Sequence, residues 1–197
     1  ADRFHHSAVQ RHLLFLAAAL VTIAVIGYHF GTFDQAIHIP FLKKYAALPL
    51  DGVLATHQHG DHIGGLLECF EMLGAGAYFD NAPQTSFILY RKLLEKVLAQ
   101  KLLYKVVKKL DILDWDPDLK VQVIGPLRDY SLSQSVGNNN SIVLRVVYGQ
   151  TIFLFAGDIE KEAENDLSEY RMGLKCDVLK VPHHGSDSSS TAPFMRY

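Results

Sequence analysis

The stretch Thr56-His57-Gln58-His59-Gly60-Asp61-His62-Ile63-Gly64-Gly65 decides the fold of this chain. It directly follows the short apolar run Val53-Leu54-Ala55, which predicts a strand that ends in a tight loop. Side chains two residues apart in an extended segment project to the same side, so His57 and His59 form a natural pair on one metal ion. Imidazole and carboxylate are good ligands for zinc, manganese or iron. The stretch therefore predicts a metal site at a strand end.

The second half of the stretch adds two more ligand types. Asp61 and His62 follow Gly60, where the chain can turn, and we expect them to face a second metal ion. Gly64 and Gly65 allow the backbone to pass close beneath the site before the next helix.

The spacing H-x-H-x-D-H resembles the signature of the metallo-β-lactamase superfamily of binuclear metallohydrolases. The resemblance implies an α/β fold of αββα type, in which two mixed sheets pack face to face, helices lie outside and the metals sit at one edge. Four motifs together resemble one branch of it, the hydrolase domain of ComEC-type competence proteins, which take up DNA across the inner membrane. The motifs are T-H-x-H-x-D-H-I-G-G, N-N-N-S-I-V-L-R, F-A-G-D-I-E-x-E-A-E and L-K-V-P-H-H-G-S.

A binuclear hydrolytic centre needs further ligands beyond the first motif. Asp158 follows the apolar strand predicted at 151–156, the second arm of a hairpin whose first arm is Ser141–Tyr148. Asp158 is expected to bridge the two metals and, with Asp61, to be catalytic. His183 and His184 end another predicted strand at 177–181. One is expected to bind metal, with a slight preference for His183, and the other to orient substrate or to support a ligand.

The turn that contains Asn138, Asn139 and Asn140 departs from the superfamily, many members of which place another histidine ligand there. An amide oxygen is a weaker ligand, which weakly favours manganese over tightly bound zinc. This turn and Ser186 are expected to contact a phosphate or to support the weaker metal site. The cofactors implied are two divalent metal ions, zinc or manganese.

The segment Tyr90–Leu110, which we predict as a long helix that is either continuous or broken, is strongly basic. Its apolar residues recur at near-helical spacing. Its charges are typical of a solvated helix face, or they form a ridge for a phosphate backbone or an anionic membrane surface. The lysines that would bind substrate are Lys101, Lys105, Lys108 and Lys109. Because the chain's net charge is −2, a DNA partner must be met by such a local patch.

Residues 1–30 form a distinct apolar segment before a hydrolase domain at 31–197. No charged residue occurs from His12 to Phe33, and residues 13–30 nearly supply the roughly 20 apolar residues that a membrane helix needs. Buried strands and a signal peptide are the alternatives. The two cysteines, Cys69 and Cys176, allow one disulfide at most, and the sequence does not decide whether it forms.

The resemblance implies metal-assisted hydrolysis of DNA phosphodiesters by a domain on the outer side of the inner membrane, with a DNA-uptake channel as a further partner. A hydrolase of small esters, lactones or phosphoesters is one alternative, and a DNA-binding or scaffolding domain with a degenerate metal site is another. The family's early D-V-G-Q-G-D-like motif and late G-H-P-like motif are missing, so the domain is expected to be incomplete at both ends.

Overall fold

The structure, a computed structural model, describes residues 39–46 and 48–197, without the side chains of Tyr45 and Met172. The predicted apolar segment at 1–30 and its boundary lie outside the described residues. The helices are α1 (Ile39–Tyr45), α2 (Gly60–Ile63), α3 (Leu66–Met72), α4 (Ile88–Ala99), α5 (Val136–Asn139), α6 (Lys161–Ser168) and α7 (Ala192–Met195). The strands are β1 (Leu50–Leu54), β2 (Ala75–Asp80), β3 (Leu103–Val106), β4 (Ile112–Leu113), β5 (Leu119–Gly125), β6 (Val143–Tyr148), β7 (Thr151–Phe155) and β8 (Val178–Lys180). This interleaving of helices and strands confirms the predicted α/β class.

The chain divides into two compact units. Unit 1 comprises the described part of Ala1–Val53, with Gly60–Tyr78 and Ser86–Tyr104. Unit 2 comprises Leu54–His59, Phe79–Thr85 and Lys105–Tyr197.

Unit 1 contains most of a three-stranded sheet in the order β1-β2-β3. Apolar residues of α1, of α3 and of the position just after α3 form a buried cluster, consisting of Ile39, Leu42, Cys69 and Leu73. The helix predicted over 62–73 is present as two short helices, α2 and α3.

The long helix predicted over 90–110 is wrong in its second half, because α4 ends at Ala99. Lys101 has φ +56. Its N–H donates to the carbonyl of Leu98, and the N–H of Leu102 donates to the carbonyl of Val97, both at 3.0 Å. These two bonds form the turn that commonly closes a helix with a left-handed residue, usually glycine. Lysine occupies that position here, so the residue type did not signal the end of the helix.

Unit 2 contains a five-stranded sheet in the order β4-β5-β6-β7-β8. The predicted hairpin is confirmed, since β6 and β7 are antiparallel with Tyr148 opposite Thr151. Strand β8 runs parallel to β7, with Phe155 opposite Lys180. The carboxyl ends of β7 and β8 and the amino end of β6 therefore lie at one edge of the sheet.

The core of unit 2 lies between this sheet and α6. Its fully buried members include Val143, Ile159 and Leu167. At its margin, Tyr130 donates a hydrogen bond of 2.8 Å from its hydroxyl to Asp166 Oδ2. Burial, and secondarily this bond, raise the pKa of Tyr130 far above its usual value.

Two further questions raised by the sequence concern membrane spans and cysteines. Within residues 39–46 and 48–197 there is no helix with the length and apolar character that a membrane crossing requires.

Cys69 and Cys176 both carry free thiols, so the disulfide that the sequence left open is not formed. Burial, followed by the charge of Asp177, raises the pKa of Cys176.

Candidate metal centre

The edge of the unit 2 sheet brings together residues from three separate parts of the sequence. The segment after β1 is held there because the N–H of Ile142, just before β6, donates to the carbonyl of Thr56 at 2.9 Å. Asp158 follows β7, and the His183-His184 pair follows β8. Sheet register therefore explains why residues so distant in sequence meet.

The imidazoles of His57 and His59 converge. Nε2 of His57 lies 3.2 Å from Nδ1 of His59, and the rings meet edge to face. Two nitrogens bound to one tetrahedral zinc, each about 2.0–2.1 Å from the ion, are about 3.3–3.4 Å apart. The pair therefore has the separation that one metal ion requires of two ligands.

Hydroxyl groups hold the buried His57 ring on its far side. Its Nδ1 lies 3.1 Å from Thr56 Oγ1 and 3.3 Å from Ser141 Oγ. A proton on Nδ1, donated to these oxygens, leaves the lone pair of Nε2 for a metal, which is how outer partners commonly fix a ligating histidine.

The absence of a side chain at Gly137, in α5, sets the position of His59. A Cβ at Gly137 would lie 2.9 Å from Cε1 of His59 and closer still to Nε2. Only glycine therefore allows the imidazole to occupy this place.

Asp158 is buried, with 1% of its surface exposed, and both of its carboxylate oxygens are engaged. Oδ1 lies 3.3 Å from Lys180 Nζ, and Oδ2 lies 3.1 Å from His184 Nε2. Its N–H donates to Ser141 Oγ at 3.1 Å. Ser141 thus contacts both His57 and Asp158. The preceding Gly157 has φ +58, and a Cβ there would lie 2.7 Å from Cβ of Ser141.

The turn Pro182–Gly185 separates the roles of the two adjacent histidines. His183 and His184 have φ +42 and +55, values rare for residues with a side chain and common at functional sites. His184 faces Asp158, whereas Nδ1 of His183 lies 3.2 Å from both Glu160 Oε1 and Ser188 Oγ. The geometry favours His184 as the ligand, which differs from the slight preference for His183 that the sequence suggested.

The three asparagines differ in what they contact. Asn139 Oδ1 accepts from the N–H of Glu160 at 2.9 Å and caps the start of α6. Asn140 Oδ1 accepts from the N–H of Tyr130 at 3.2 Å. Asn138 donates from Nδ2 to Glu160 Oε1 at 2.7 Å, while its buried Oδ1 has no hydrogen-bond partner among the described residues. Asn138 alone keeps an acceptor available.

Ser186 supports the loop after the histidines. Its hydroxyl lies 2.7 Å from Ser188 Oγ and accepts from the N–H of Ser188 at 3.1 Å. Contact with a phosphate stays a prediction for this residue.

Asp61 and His62 belong to unit 1, at the start of α2. Nε2 of His62 lies 3.6 Å from Oδ2 of Asp61, so these two donors also converge. The histidine side chain is buried, whereas 44% of the Asp61 side chain is exposed.

The four lysines do not lie on one helix face, because α4 ends before them. Lys101 lies in the turn after α4, Lys105 in β3, and Lys108 and Lys109 between β3 and β4. Nζ of Lys105 lies 5.9 Å from the Phe79 ring centroid, and Nζ of Lys109 lies 4.9 Å from that of Tyr170. The ridge expected from helical spacing is therefore wrong as a helical feature.

The sequence assigned no role to several residues of the site, namely Thr56, Gly137, Ser141, Glu160 and Lys180. Each lies within or directly beside a motif that was recognised. Their positions next to ligands in the sequence were the only available signal, since serine, threonine and lysine are common at strand ends.

Comparisons with known proteins show what this chain is similar to. A family model described as the metallo-beta-lactamase superfamily matches residues 27–194. The chain is 31% identical over 173 residues to ComE operon protein 3 of Bacillus subtilis, covering 85% of the chain and 21% of that protein. It is 26% identical over 159 residues to competence protein ComA of Neisseria gonorrhoeae, covering 80% of the chain and 20% of that protein. The chain thus spans about a fifth of these relatives. Zinc-bound PqqB from Methylobacterium extorquens aligns with 16% identity and a TM-score of 0.45, covering 82% of this chain and 65% of that one.

Proposed function

This chain belongs to the metallo-β-lactamase superfamily, and from that premise we propose that it is a metal-dependent hydrolase that cleaves DNA phosphodiester bonds during DNA uptake. The observation that carries the proposal is the 3.2 Å separation of the His57 and His59 nitrogens. These atoms lie in the same unit as the buried carboxylate of Asp158.

The residues present fit a divalent metal. Imidazole nitrogens and carboxylate oxygens suit zinc and manganese, and each donor pair has a separation compatible with a shared ion. We propose that His57 and His59 hold one metal in unit 2, where Asp158 and His184 form a second donor pair, and that Asp61 and His62 form the donor pair of unit 1.

A metal ion bound there would supply an acidified water near neutral pH and would neutralise charge on a phosphate. The chain's own residues do the rest. With its proton on Nδ1, His57 would donate to Thr56 and Ser141, and Ser141 Oγ also accepts from the backbone N–H of Asp158. We assign Asp61, whose carboxylate is open to solvent, to orienting the attacking water.

DNA is the substrate that the relatives favour, because one of them is named competence protein ComA and the four motifs resemble the hydrolase domain of ComEC-type competence proteins. We propose that Lys101, Lys105, Lys108 and Lys109 contact the phosphate backbone. Lys101, Lys105 and Lys108 are exposed, which such contacts require. Contacts of this kind make binding depend steeply on salt concentration.

The test is hydrolysis of linear single- and double-stranded DNA by the full chain, purified in detergent and titrated with Mn²⁺ or Zn²⁺. We expect metal-dependent cleavage that His59→Ala abolishes and that the exposed control Asp114→Asn leaves unchanged. Cleavage of small esters or lactones without cleavage of DNA would refute the nuclease. DNA binding that needs no metal, without any turnover, would favour a scaffolding domain.

We further propose that residues 13–30 anchor the chain in the inner membrane with the hydrolase on the outer side, where a DNA-uptake channel would be its partner. The apolar sequence of that segment and the resemblance of the motifs to ComEC-type competence proteins support this. Recovery of the intact chain in the soluble fraction without detergent would refute the anchor. Resistance to protease in spheroplasts would refute the orientation.

A further inference from the structure

Lys180, the last residue of β8, buries its ammonium group beside Asp158. Its side chain is 8% exposed and that of Asp158 is 2% exposed. Nζ donates to the carbonyl oxygen of Gly157 at 3.1 Å and lies 3.3 Å from Asp158 Oδ1. Burying a charged amine is costly unless it is paired and hydrogen-bonded, and here both conditions are met.

The pairing of strands builds this contact into the fold. Lys180 lies opposite Phe155 in the parallel ladder, so its side chain starts beside the loop that carries Gly157 and Asp158. The two oxygens of the Asp158 carboxylate have different partners, because Oδ1 contacts Lys180 Nζ while Oδ2 lies 3.1 Å from His184 Nε2. Rotation of the carboxylate would break both contacts.

We propose, building on the metal site of the proposed function, that Lys180 is a positioning residue for the metal. It holds Asp158 by Oδ1 and so presents Oδ2, together with His184, to the ion. Outer partners that orient a ligand typically contribute about 10–100-fold to metal affinity. Lys180 therefore acts through Asp158 and does not touch the metal or the substrate.

The direction in which metal affinity changes when Lys180 is replaced separates a positioning role from a purely electrostatic one. A fixed positive charge beside a ligand repels a divalent cation, so charge alone predicts tighter metal binding when the ammonium is removed. Positioning predicts weaker binding after the same change.

The experiment measures the affinity of the full chain in detergent for Mn²⁺ and Zn²⁺, by competition with a chelating dye. We expect Lys180→Met to weaken binding by about 10–100-fold. The matched control Lys120→Met, at an exposed position in β5, should leave affinity unchanged. Unchanged or tighter binding by Lys180→Met would overturn the proposal.

A second comparison keeps the test decisive if Lys180→Met alone does not fold. Removing both charges, in Asp158→Asn with Lys180→Met, avoids leaving a buried carboxylate unpaired. If Lys180 acts through Asp158, the double variant binds metal as weakly as Asp158→Asn and no more weakly. A further loss would show a role independent of the carboxylate. If the unaltered chain binds no metal, the proposed function itself fails, and that outcome is distinct from failure of the lysine variant.

Discussion

Replacing Gly137 with alanine should damage the metal site while leaving the fold in place. The new Cβ would lie 2.9 Å from Cε1 of His59 and 3.2 Å from Cδ2, where ordinary contacts begin at 3.4 Å. The imidazole must therefore move by more than about 0.5 Å to relieve the contact. That movement changes the 3.2 Å separation between the nitrogens of His57 and His59.

The substitution should lower metal affinity and turnover more than it lowers the free energy of unfolding. Overpacking costs about 1–3 kcal/mol, but alanine within helix α5 recovers about 0.5–1 kcal/mol relative to glycine, so the free energy of unfolding should fall by about 0–2.5 kcal/mol. A misplacement of about 1 Å at a reacting centre lowers rates by about 10²-fold. We expect metal affinity and turnover to fall by about 10–100-fold.

The assay compares metal affinity and denaturant unfolding of Gly137→Ala with those of the control Gly173→Ala. At Gly173 the nearest atom to a new Cβ is Cβ of Tyr170, at an ordinary 3.8 Å. Both substitutions stiffen the unfolded chain equally. If Gly137→Ala binds metal as tightly as Gly173→Ala, the position of His59 does not depend on this glycine and the reasoning is refuted.

Three further predictions follow from individual contacts. His184→Ala should weaken metal binding at least tenfold more than His183→Ala, and equal losses would contradict the assignment of His184. Asn138→His should tighten zinc binding, because the Oδ1 of Asn138 has no hydrogen-bond partner among the described residues, and unchanged zinc affinity in a titration would exclude position 138 from the metal. Asn139→His should instead lower the thermal unfolding temperature, because it removes the oxygen that caps α6. Glu164→Gln should cost about 1.5–3 kcal/mol in denaturant unfolding without changing metal affinity, because its two oxygens accept from the N–H groups of Ser190 and Thr191, and an unchanged free energy would contradict this role.

The sequence predicted most of what local patterns determine. Two apolar runs separated by the turn Gly149-Gln150 identified β6 and β7, and Asp158 was predicted as a ligand because it follows the second run. The histidine-rich stretch at 56–65 predicted a metal site, because several imidazole and carboxylate groups in one short loop are typical of metal ligands. These features depend on residues near one another in the chain.

Other features depend on backbone angles that no residue type signals, or on contacts between distant residues, and the sequence does not predict them. Helical periodicity continued past Ala99, but left-handed Lys101 ended the helix without the usual glycine. The choice between His183 and His184 depends on two consecutive positive φ angles, which no residue type there signals. The role of Ser141 depends on its contacts with His57 and Asp158, which the folded sheet alone brings together.

The parallel pairing of β7 with β8 also sets the time at which the site can form during synthesis. The ribosome makes His57 and His59 roughly 125 residues before His184. At about 5–20 residues per second, that gap lasts about 6–25 s. Throughout this interval the nascent chain has a pair of nitrogen ligands without the Asp158–His184 pair, which needs β8 to dock on β7. Loading with a complete set of ligands therefore waits until β8 has been made and has docked on β7, and the choice of metal depends on the compartment in which β8 folds.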